Sequence, residues 1–155
     1  MKEIKNLLNE IKLKILSLGK TLEKAEAIGV FGSLARGKNF TNRSDIDIFV
    51  IVKEKKSDTD QYWYNEIFEV LKGFGRDVTV MVYSLKSLRE ISNWYVLRLV
   101  SEGIIIFDKG NVKELFKEII QTALDAGLVE EKRGNYKVWT IPFLKPGTSI
   151  EIKLK

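Results

Sequence analysis

Three aspartates open apolar stretches of this sequence and could hold metal ions. Asp45 and Asp47 are separated by one residue at the start of the run Asp45–Val52, and Asp77 opens the run Asp77–Tyr83. Because alternate residues of a strand share a face, the first two carboxylates lie side by side, which is costly unless a cation neutralises them. Oxygen ligands at this spacing favour Mg²⁺ over a soft metal. If the two strands are neighbours, all three carboxylates can converge, as two divalent ions that bridge a nucleoside triphosphate require.

A glycine-containing turn before these aspartates could bind a phosphate. Gly32 and Ser33 follow the first predicted strand, and a glycine there lets the backbone approach a ligand closely. The amides that open a helix after such a turn point outward and favour an anion. Arg36, Lys38 and Arg43 add positive charge around the same turn. Taken alone, a Gly-Ser stretch at the end of a strand is more often a plain turn that binds nothing.

The composition limits the chemistry that is open to this chain. Its 155 residues suit about one domain, with 45% hydrophobic and 30% charged residues. The absence of cysteine and histidine excludes disulfides, thiolate nucleophiles and the commonest general base. Catalysis must therefore use carboxylates, lysine, hydroxyl groups or hard cations. The net charge of +5 suits a polyanionic ligand, and the lack of a long apolar run or signal peptide predicts a cytoplasmic protein.

Apolar periodicity predicts an α+β domain, close to α/β, with a mixed sheet covered by helices. The wholly apolar stretch Phe49–Val52 predicts that the Asp45–Val52 strand is interior, against the alternative of a solvent-facing edge strand. Ser57 is the predicted cap of the third helix, and Ser84 and Ser87 are predicted caps of the fourth. The predicted elements in chain order are a helix over 2–18, strand Ala27–Phe31, a helix start at Leu34–Arg36, strand Asp45–Val52, a helix after Ser57, strand Asp77–Tyr83, a helix to Ser101, strand Gly103–Phe107, helix Val112–Ala126, and a hairpin of Leu128–Lys132 with Tyr136–Ile141.

These motifs resemble the minimal nucleotidyltransferases of archaea and bacteria, which belong to the DNA polymerase β-like nucleotidyltransferase superfamily. The matching stretches are Gly32-Ser33-Leu34-Ala35-Arg36-Gly37, Ser44-Asp45-Ile46-Asp47-Ile48, Asp77 at the third carboxylate position, and Ser101–Asp108 as the last strand. The resemblance covers residues 22–108 and implies the nucleotidyltransferase fold. It divides the chain into a core, 1–108, and a C-terminal helix and hairpin, 109–155, which we expect to pack on the core as one domain.

The resemblance also implies roles for individual residues. Asp45, Asp47 and Asp77 would be the catalytic residues and the ligands of two Mg²⁺ or Mn²⁺ ions. Gly32 and Ser33 would hold the β- and γ-phosphates. The remaining residues expected to bind the nucleotide are Arg36, Arg43 and Ser44.

The activity implied by the resemblance is Mg²⁺-dependent transfer of a nucleoside monophosphate, AMP from ATP, to a hydroxyl group. The implied acceptor is a helical partner protein of the HEPN type within a toxin–antitoxin pair, where this chain would be the antitoxin. Two alternatives stay open: transfer to a small molecule, and a catalytically weak nucleotide-binding module that neutralises a partner by contact. The sequence predicts no membrane partner and leaves a homodimer open.

The C-terminal region has two interpretations. Its last helix followed by a hairpin with the turn Arg133-Gly134-Asn135 has a faint likeness to a winged-helix DNA-binding domain. No recognition helix precedes the hairpin, so DNA binding is not expected. We expect instead a hairpin that caps the sheet or forms a dimer contact. The apolar run Trp94–Val100 similarly predicts core or subunit interface rather than a surface that stacks bases.

Overall fold

The computed structural model describes residues 2–91, 93–134, 136–142, 145–147, 152 and 154. Its helices are α1 (Lys2–Leu16), α2 (Gly32–Arg36), α3 (Thr59–Leu71), α4 (Leu85–Glu90), α5 (Trp94–Glu102) and α6 (Val112–Asp125), with short 3-10 turns at Gly19–Lys24 and Lys72–Phe74. Its strands are β1 (Ala27–Phe31), β2 (Ile46–Val52), β3 (Val78–Ser84), β4 (Ile104–Asp108), β5 (Val129–Arg133) and β6 (Tyr136–Thr140). This order of helices and strands is the order predicted from the sequence, except that α4 and α5 replace one predicted helix.

The described strands form a mixed sheet and a separate hairpin. The sheet has the order β3-β2-β1-β4, with β2 parallel to β3 and β1 antiparallel to both β2 and β4. β2 is therefore interior, as its apolar composition predicts, and β3 is its neighbour. The mixed sheet with helices packed on it confirms the predicted fold class.

Strand β2 separates two apolar layers because both of its faces are buried. Ile46, Ile48 and Val50 pack with α1 and α3 on one face. Phe49 and Ile51 pack with α5 and α6 on the other. Since side chains alternate along a strand, the face that carries Phe49 and Ile51 also carries the two aspartates at the start of β2. The aspartates therefore belong to the layer that faces α5.

Two predictions about the helices are wrong. The Ser57 cap is wrong: α3 begins at Thr59 after Asp58, because the Thr59 hydroxyl accepts a hydrogen bond from the Lys56 amide and closes a turn first. The helix predicted to run to Ser101 is broken at Ile91, whose φ of 47° is left-handed and cannot continue a helix.

The caps of α4 and α5 follow from side-chain hydrogen bonds to backbone amides. Ser84 caps α4, as predicted, whereas Ser87 is not itself a cap but completes a capping box from the third helical position. Asn93 caps α5 by accepting a hydrogen bond from the Val96 amide, which the sequence analysis missed.

The C-terminal hairpin packs on α5 rather than on the sheet. Strands β5 and β6 pair only with each other among the described strands. The indole N–H of Trp139 donates to the Ser101 hydroxyl on α5 at 3.0 Å, and Trp139 contacts the apolar layer beneath α5. The hairpin that was expected to cover the sheet therefore covers α5 instead. Asn135, in the predicted turn, lies outside the described residues.

No helix in the described ranges is long and apolar enough to cross a membrane.

Close packing around Gly29 generates a test of the sheet. A Cβ at Gly29 would overlap both the Ile104 carbonyl on β4 and the Phe49 ring on β2. Gly29→Ala should therefore lower the free energy of unfolding by about 1–3 kcal/mol, the usual cost of added volume in a packed interior. Urea denaturation measures this value. Gly73→Ala is the matched control, since nothing lies within 4 Å of a Cβ there, and it should change stability little. Equal losses in the two variants would contradict this packing.

Candidate functional site

A cavity of about 350 Å³ lies where the β1–α2 turn, β2, β3 and α5 meet. It combines polar and charged side chains with an aromatic wall. Its lining residues are Phe31, Gly32, Ser33, Arg36, Asp47, Thr79, Met81, Tyr83, Tyr95, Arg98, Leu99 and Glu102. Four residues predicted from the sequence are among them, namely Gly32, Ser33, Arg36 and Asp47.

The contact between Gly32 and Asp47 joins the turn to the acidic strand. Phe31, at the end of β1, pairs with Asp47 in β2, so the next residue of the chain passes beside the Asp47 carboxylate. A Cβ at Gly32 would overlap that carboxylate, and Gly32 also has a left-handed φ of 73°. The sequence predicted a glycine that lets a ligand approach, but the atom it accommodates in this structure is an oxygen of Asp47. Glycine is required here for both steric and conformational reasons.

The Asp47 carboxylate is half-buried beside a second negative charge. Burial raises the pKa of Asp47 above its ordinary value of 3.8, and the charge of Asp45 raises this pKa further. A hydrogen bond from Thr79 and the positive charge of Arg36 lower the same pKa. The Thr79 hydroxyl also lies 3.4 Å from Asp45 Oδ2, so one hydroxyl contacts both carboxylates. The pair of aspartates is thus the electrostatically unfavourable part of the site.

Asp77 lies at the same edge of the sheet but outside the cavity lining. Its backbone carbonyl accepts a hydrogen bond from the Ile46 amide at 2.9 Å, and its side chain is exposed. The residue beside Asp47 on the neighbouring strand is Thr79, its register partner. Within the described part of the chain, no three acidic side chains are grouped so as to hold a metal ion. The convergence of the three carboxylates, which the sequence analysis predicts around bound metal ions, stays a prediction.

Arg36 lines the cavity and is held in an ion pair. Its guanidinium lies 3.0 Å from Glu102 on α5, and the two side chains are only 23% and 15% exposed. The other oxygen of Glu102 lies 3.5 Å from Arg98, one turn earlier on α5. One carboxylate thus bridges two arginines, both of which line the cavity.

Arg43 and Ser44 belong to the loop before β2 and not to the cavity lining. The Ser44 hydroxyl accepts a hydrogen bond from the Thr41 amide at 2.8 Å, and the Arg43 side chain is exposed. Arg76 fixes this loop by donating to the carbonyls of Thr41 and Ser44 and by covering the Phe40 ring. The described contacts of Ser44 hold the loop, and neither Ser44 nor Arg43 lines the cavity, so their contact with the nucleotide stays a prediction.

Several cavity residues were missed by the sequence analysis. Thr79, Tyr83 and Arg98 lie outside the stretches that resemble the family motifs, and Glu102 was matched only as part of the stretch that leads into the last strand. Burial raises the pKa of Tyr83 above 10, and Tyr95 raises it further, so its hydroxyl keeps its proton at neutral pH. The alternation Thr79, Met81, Tyr83 could have indicated one face of β3, but only the register shows that this face adjoins Asp47.

Comparison with known proteins identifies a matching family model. A model described as a nucleotidyltransferase domain matches residues 8–107, which include the turn, both acidic strands and α5. Comparison with curated protein sequences gives no match.

Solved structures with the same fold include proteins from toxin–antitoxin complexes. One is a mutant of the MntA–HpeT toxin–antitoxin, with a TM-score of 0.52 at 19% identity over 74% of this chain and 87% of that chain. Another is a toxin–antitoxin with AMP-PNP, with a TM-score of 0.51 at 22% identity and the same coverage of both chains. At this identity the likeness establishes the fold.

The Gly32–Asp47 contact predicts unequal effects at two left-handed glycines. Gly32 and Gly37 have φ of 73° and 69°, so alanine at either position should cost about 1–2 kcal/mol in backbone strain. A Cβ at Gly37 meets nothing within 4 Å, whereas at Gly32 it would displace the Asp47 carboxylate. Gly32→Ala should therefore lower the free energy of unfolding more than Gly37→Ala in denaturation experiments. Equal losses would mean that Asp47 does not lie against this turn.

The raised pKa of Asp47 predicts how its asparagine variant responds to pH. At neutral pH the carboxylate is ionised in both folded and unfolded chains, so the wild type carries the full cost of burying the charge. Asp47→Asn removes that cost and should be at least as stable as the wild type there. As the pH falls through the raised pKa toward 3.8, the wild-type carboxyl becomes protonated and the advantage of the variant should shrink. Thermal melts of both proteins from neutral to acidic pH measure this difference, and an advantage that grows toward acid would contradict it.

Proposed function

This chain belongs to the nucleotidyltransferase domain family, and we propose that it transfers AMP from ATP to a hydroxyl group on a partner protein. Membership of the family makes the chain a transferase of nucleotidyl groups. ATP as the nucleotide, Mg²⁺ as the metal and a protein hydroxyl as the acceptor are proposed beyond that membership. The observation that carries it is the Gly32 turn in contact with the Asp47 carboxylate, at the edge of a cavity of nucleotide-sized volume.

The triphosphate of the donor nucleotide would bind along the turn at Gly32 and Ser33 and beside Arg36. Gly32 and Ser33 line the cavity with backbone that a phosphate can approach, and Arg36 lies beside them. Glu102 satisfies one donor of the Arg36 guanidinium, which has further N–H groups for phosphate oxygens. A positive side chain held in this way stabilises the charge that develops on the departing pyrophosphate. AMP-PNP in a similar protein supports ATP as the donor.

The two aspartates at the start of β2 fit a hard divalent cation such as Mg²⁺. Their side chains and the Thr79 hydroxyl supply only oxygen donors, which is the ligand set that this ion prefers. Burial and mutual repulsion raise the pKa of Asp47, and a bound cation would offset both effects. Asp77 stays a predicted third carboxylate, for a second ion. When bound, the ion would neutralise phosphate charge and make the acceptor hydroxyl more acidic.

The protein's own groups would orient the two substrates. The acceptor oxygen forms a bond to the α-phosphorus, and the bond from that phosphorus to the bridging oxygen of pyrophosphate breaks. The hydroxyl proton would pass to a nearby carboxylate, for which Asp45 and Asp77 are the candidates at this edge of the sheet. Phe31 and Tyr83 form the apolar side of the cavity and exclude water from the reacting phosphate.

A protein acceptor is favoured over a small molecule. The chains of similar fold belong to toxin–antitoxin complexes, which supports a toxin as partner and an antitoxin role for this chain. The HEPN type of that toxin is what the sequence resemblance implies. The net charge of +5 suits docking onto an acidic protein.

We expect the partner to be a helical protein encoded beside this gene, and co-expression with it tests the proposal. Intact-mass measurement should detect a nucleotide-sized increment on the partner with the wild type and none with Asp47→Asn. Asp58→Asn, at an exposed helix-capping position away from the cavity, should retain the transfer. If the partner is neutralised but shows no increase in mass, the chain acts on it as a binding module and not as a transferase.

Thermal shift measurements test the donor site separately. Mg²⁺ with AMP-PNP should raise the melting temperature of the wild type through ligand linkage and raise that of Asp47→Asn much less. An equal rise in both proteins would mean that the carboxylate takes no part in nucleotide binding.

A further inference from the structure

A groove of about 520 Å³ lies between α5 and the C-terminal hairpin. It adjoins the cavity proposed to bind the donor nucleotide, which is called the donor cavity below. Its lining is cationic and aromatic: Arg36, Arg98, Lys137, Trp94 and Trp139, with Asn39 and Val138. No acidic residue lines it within the described part of the chain. We infer that this groove binds the acceptor, and that the bound part of the acceptor is an acidic segment of a partner protein. The inference rests on the proposed function and specifies its second substrate.

The groove and the donor cavity form one continuous surface. Arg36 and Arg98 line both spaces, and the Glu102 carboxylate bridges the two arginines between them. Nucleotidyl transfer requires the acceptor oxygen to reach the α-phosphorus while the donor is bound. A segment lying in the groove would enter the donor cavity past these two arginines. The groove is therefore contiguous with the donor cavity, as an acceptor site has to be.

The charge of the groove suits a moderately acidic peptide. Each of its three cations already has a carboxylate neighbour: Glu102 for the two arginines and Glu130, 3.6 Å away, for Lys137. Three positive and two negative charges leave a net charge of +1. A nucleic acid strand carries one phosphate per nucleotide and is bound by several cations along its backbone. Because carboxylates already neutralise part of the charge of these three cations, the groove suits a moderately acidic protein segment better than a nucleic acid.

The two tryptophans supply the contact area that protein segments use. Trp94 is 51% exposed at the start of α5, although its neighbours Val96 and Leu97 are buried. Trp139 is fixed on the opposite side by its hydrogen bond to Ser101. Tryptophan and arginine dominate the binding energy of protein interfaces because they bury large area with directed hydrogen bonds. A rigid and an exposed tryptophan on facing sides can hold an apolar or aromatic side chain between them.

The outer side of the groove comes from the part of the chain beyond the family match. The family model ends at residue 107, whereas Lys137, Val138 and Trp139 belong to β6. The donor machinery lies within the matched region, and the hairpin adds the groove to it. This gives the C-terminal region a function as part of the acceptor site.

Binding of labelled peptides to the full-length protein tests this inference. The probes are a short peptide with one tyrosine flanked by glutamates, the same peptide with lysines instead, and single-stranded oligoadenylate. We expect only the glutamate peptide to bind well, in fluorescence polarisation with Mg²⁺ and AMP-PNP present. Trp94→Ala and Lys137→Glu should each weaken its binding about tenfold, the effect of losing a well-placed interface residue. Neither residue lines the donor cavity, so the affinity for AMP-PNP should not change.

Matched surface variants control for general effects. Tyr64→Ala removes an exposed aromatic residue from α3, and Lys72→Glu reverses a lysine that is paired with Glu69, as Lys137 is with Glu130. Both should bind the glutamate peptide like the wild type. Trp94→Phe should retain most of the binding if Trp94→Ala fails through loss of the aromatic contact rather than through misfolding.

The outcomes separate the acceptor site from the donor site. Tighter binding of oligoadenylate or of the lysine peptide, unchanged binding in the groove variants, or no binding of any probe would overturn the inference. Groove-dependent binding of the glutamate peptide by a protein that does not bind AMP-PNP would uphold the groove and overturn the proposed transferase reaction.

Discussion

The geometry of the candidate site depends on one steric condition, the missing Cβ at Gly32. The Asp47 carboxylate occupies the space that a side chain there would fill, and the left-handed backbone of Gly32 turns the chain from β1 into α2. Because Phe31 and Asp47 are register partners, this contact is fixed by the pairing of β1 with β2. The acidic group and the turn proposed to bind phosphate are therefore held together by the sheet itself.

The same arrangement keeps an unfavourable charge in the molecule. Asp47 is half-buried, its pKa is raised by burial and by Asp45, and only Thr79 and Arg36 oppose these effects. An aspartate with these surroundings reduces stability at neutral pH, and a chain selected for stability alone would favour a neutral residue there. Its location on a cavity rather than in the core supports the proposal that the charge serves ligand binding. Asp47, whose pKa is raised, is thus also a residue that lines the cavity.

Helix α5 connects the two halves of the proposed reaction surface. Its buried face packs against β2 through the apolar layer that contains Phe49, which fixes the orientation of the helix. Glu102, at its end, bridges Arg36 and Arg98, while Ser101 anchors the hairpin through Trp139. The donor cavity and the groove thus share one rigid support, and a change in the packing of α5 would alter both.

Local sequence patterns predicted the interior position of β2, the turn and aspartates of the candidate site, and the order of the elements apart from the break between α4 and α5. These features follow from local patterns, since apolar periodicity and glycine placement act over a few neighbouring residues. Tertiary structure alone decided that Thr79 contacts both aspartates, that Asp77 lies outside the cavity, and that Arg98 and Glu102 join it. The register of parallel strands and the docking of a helix are set by contacts between residues far apart in the chain. No local sequence pattern encodes the strand register or the position of the helix. The residues of β3, α5 and the hairpin that line the cavity and the groove could therefore be identified only in the folded structure.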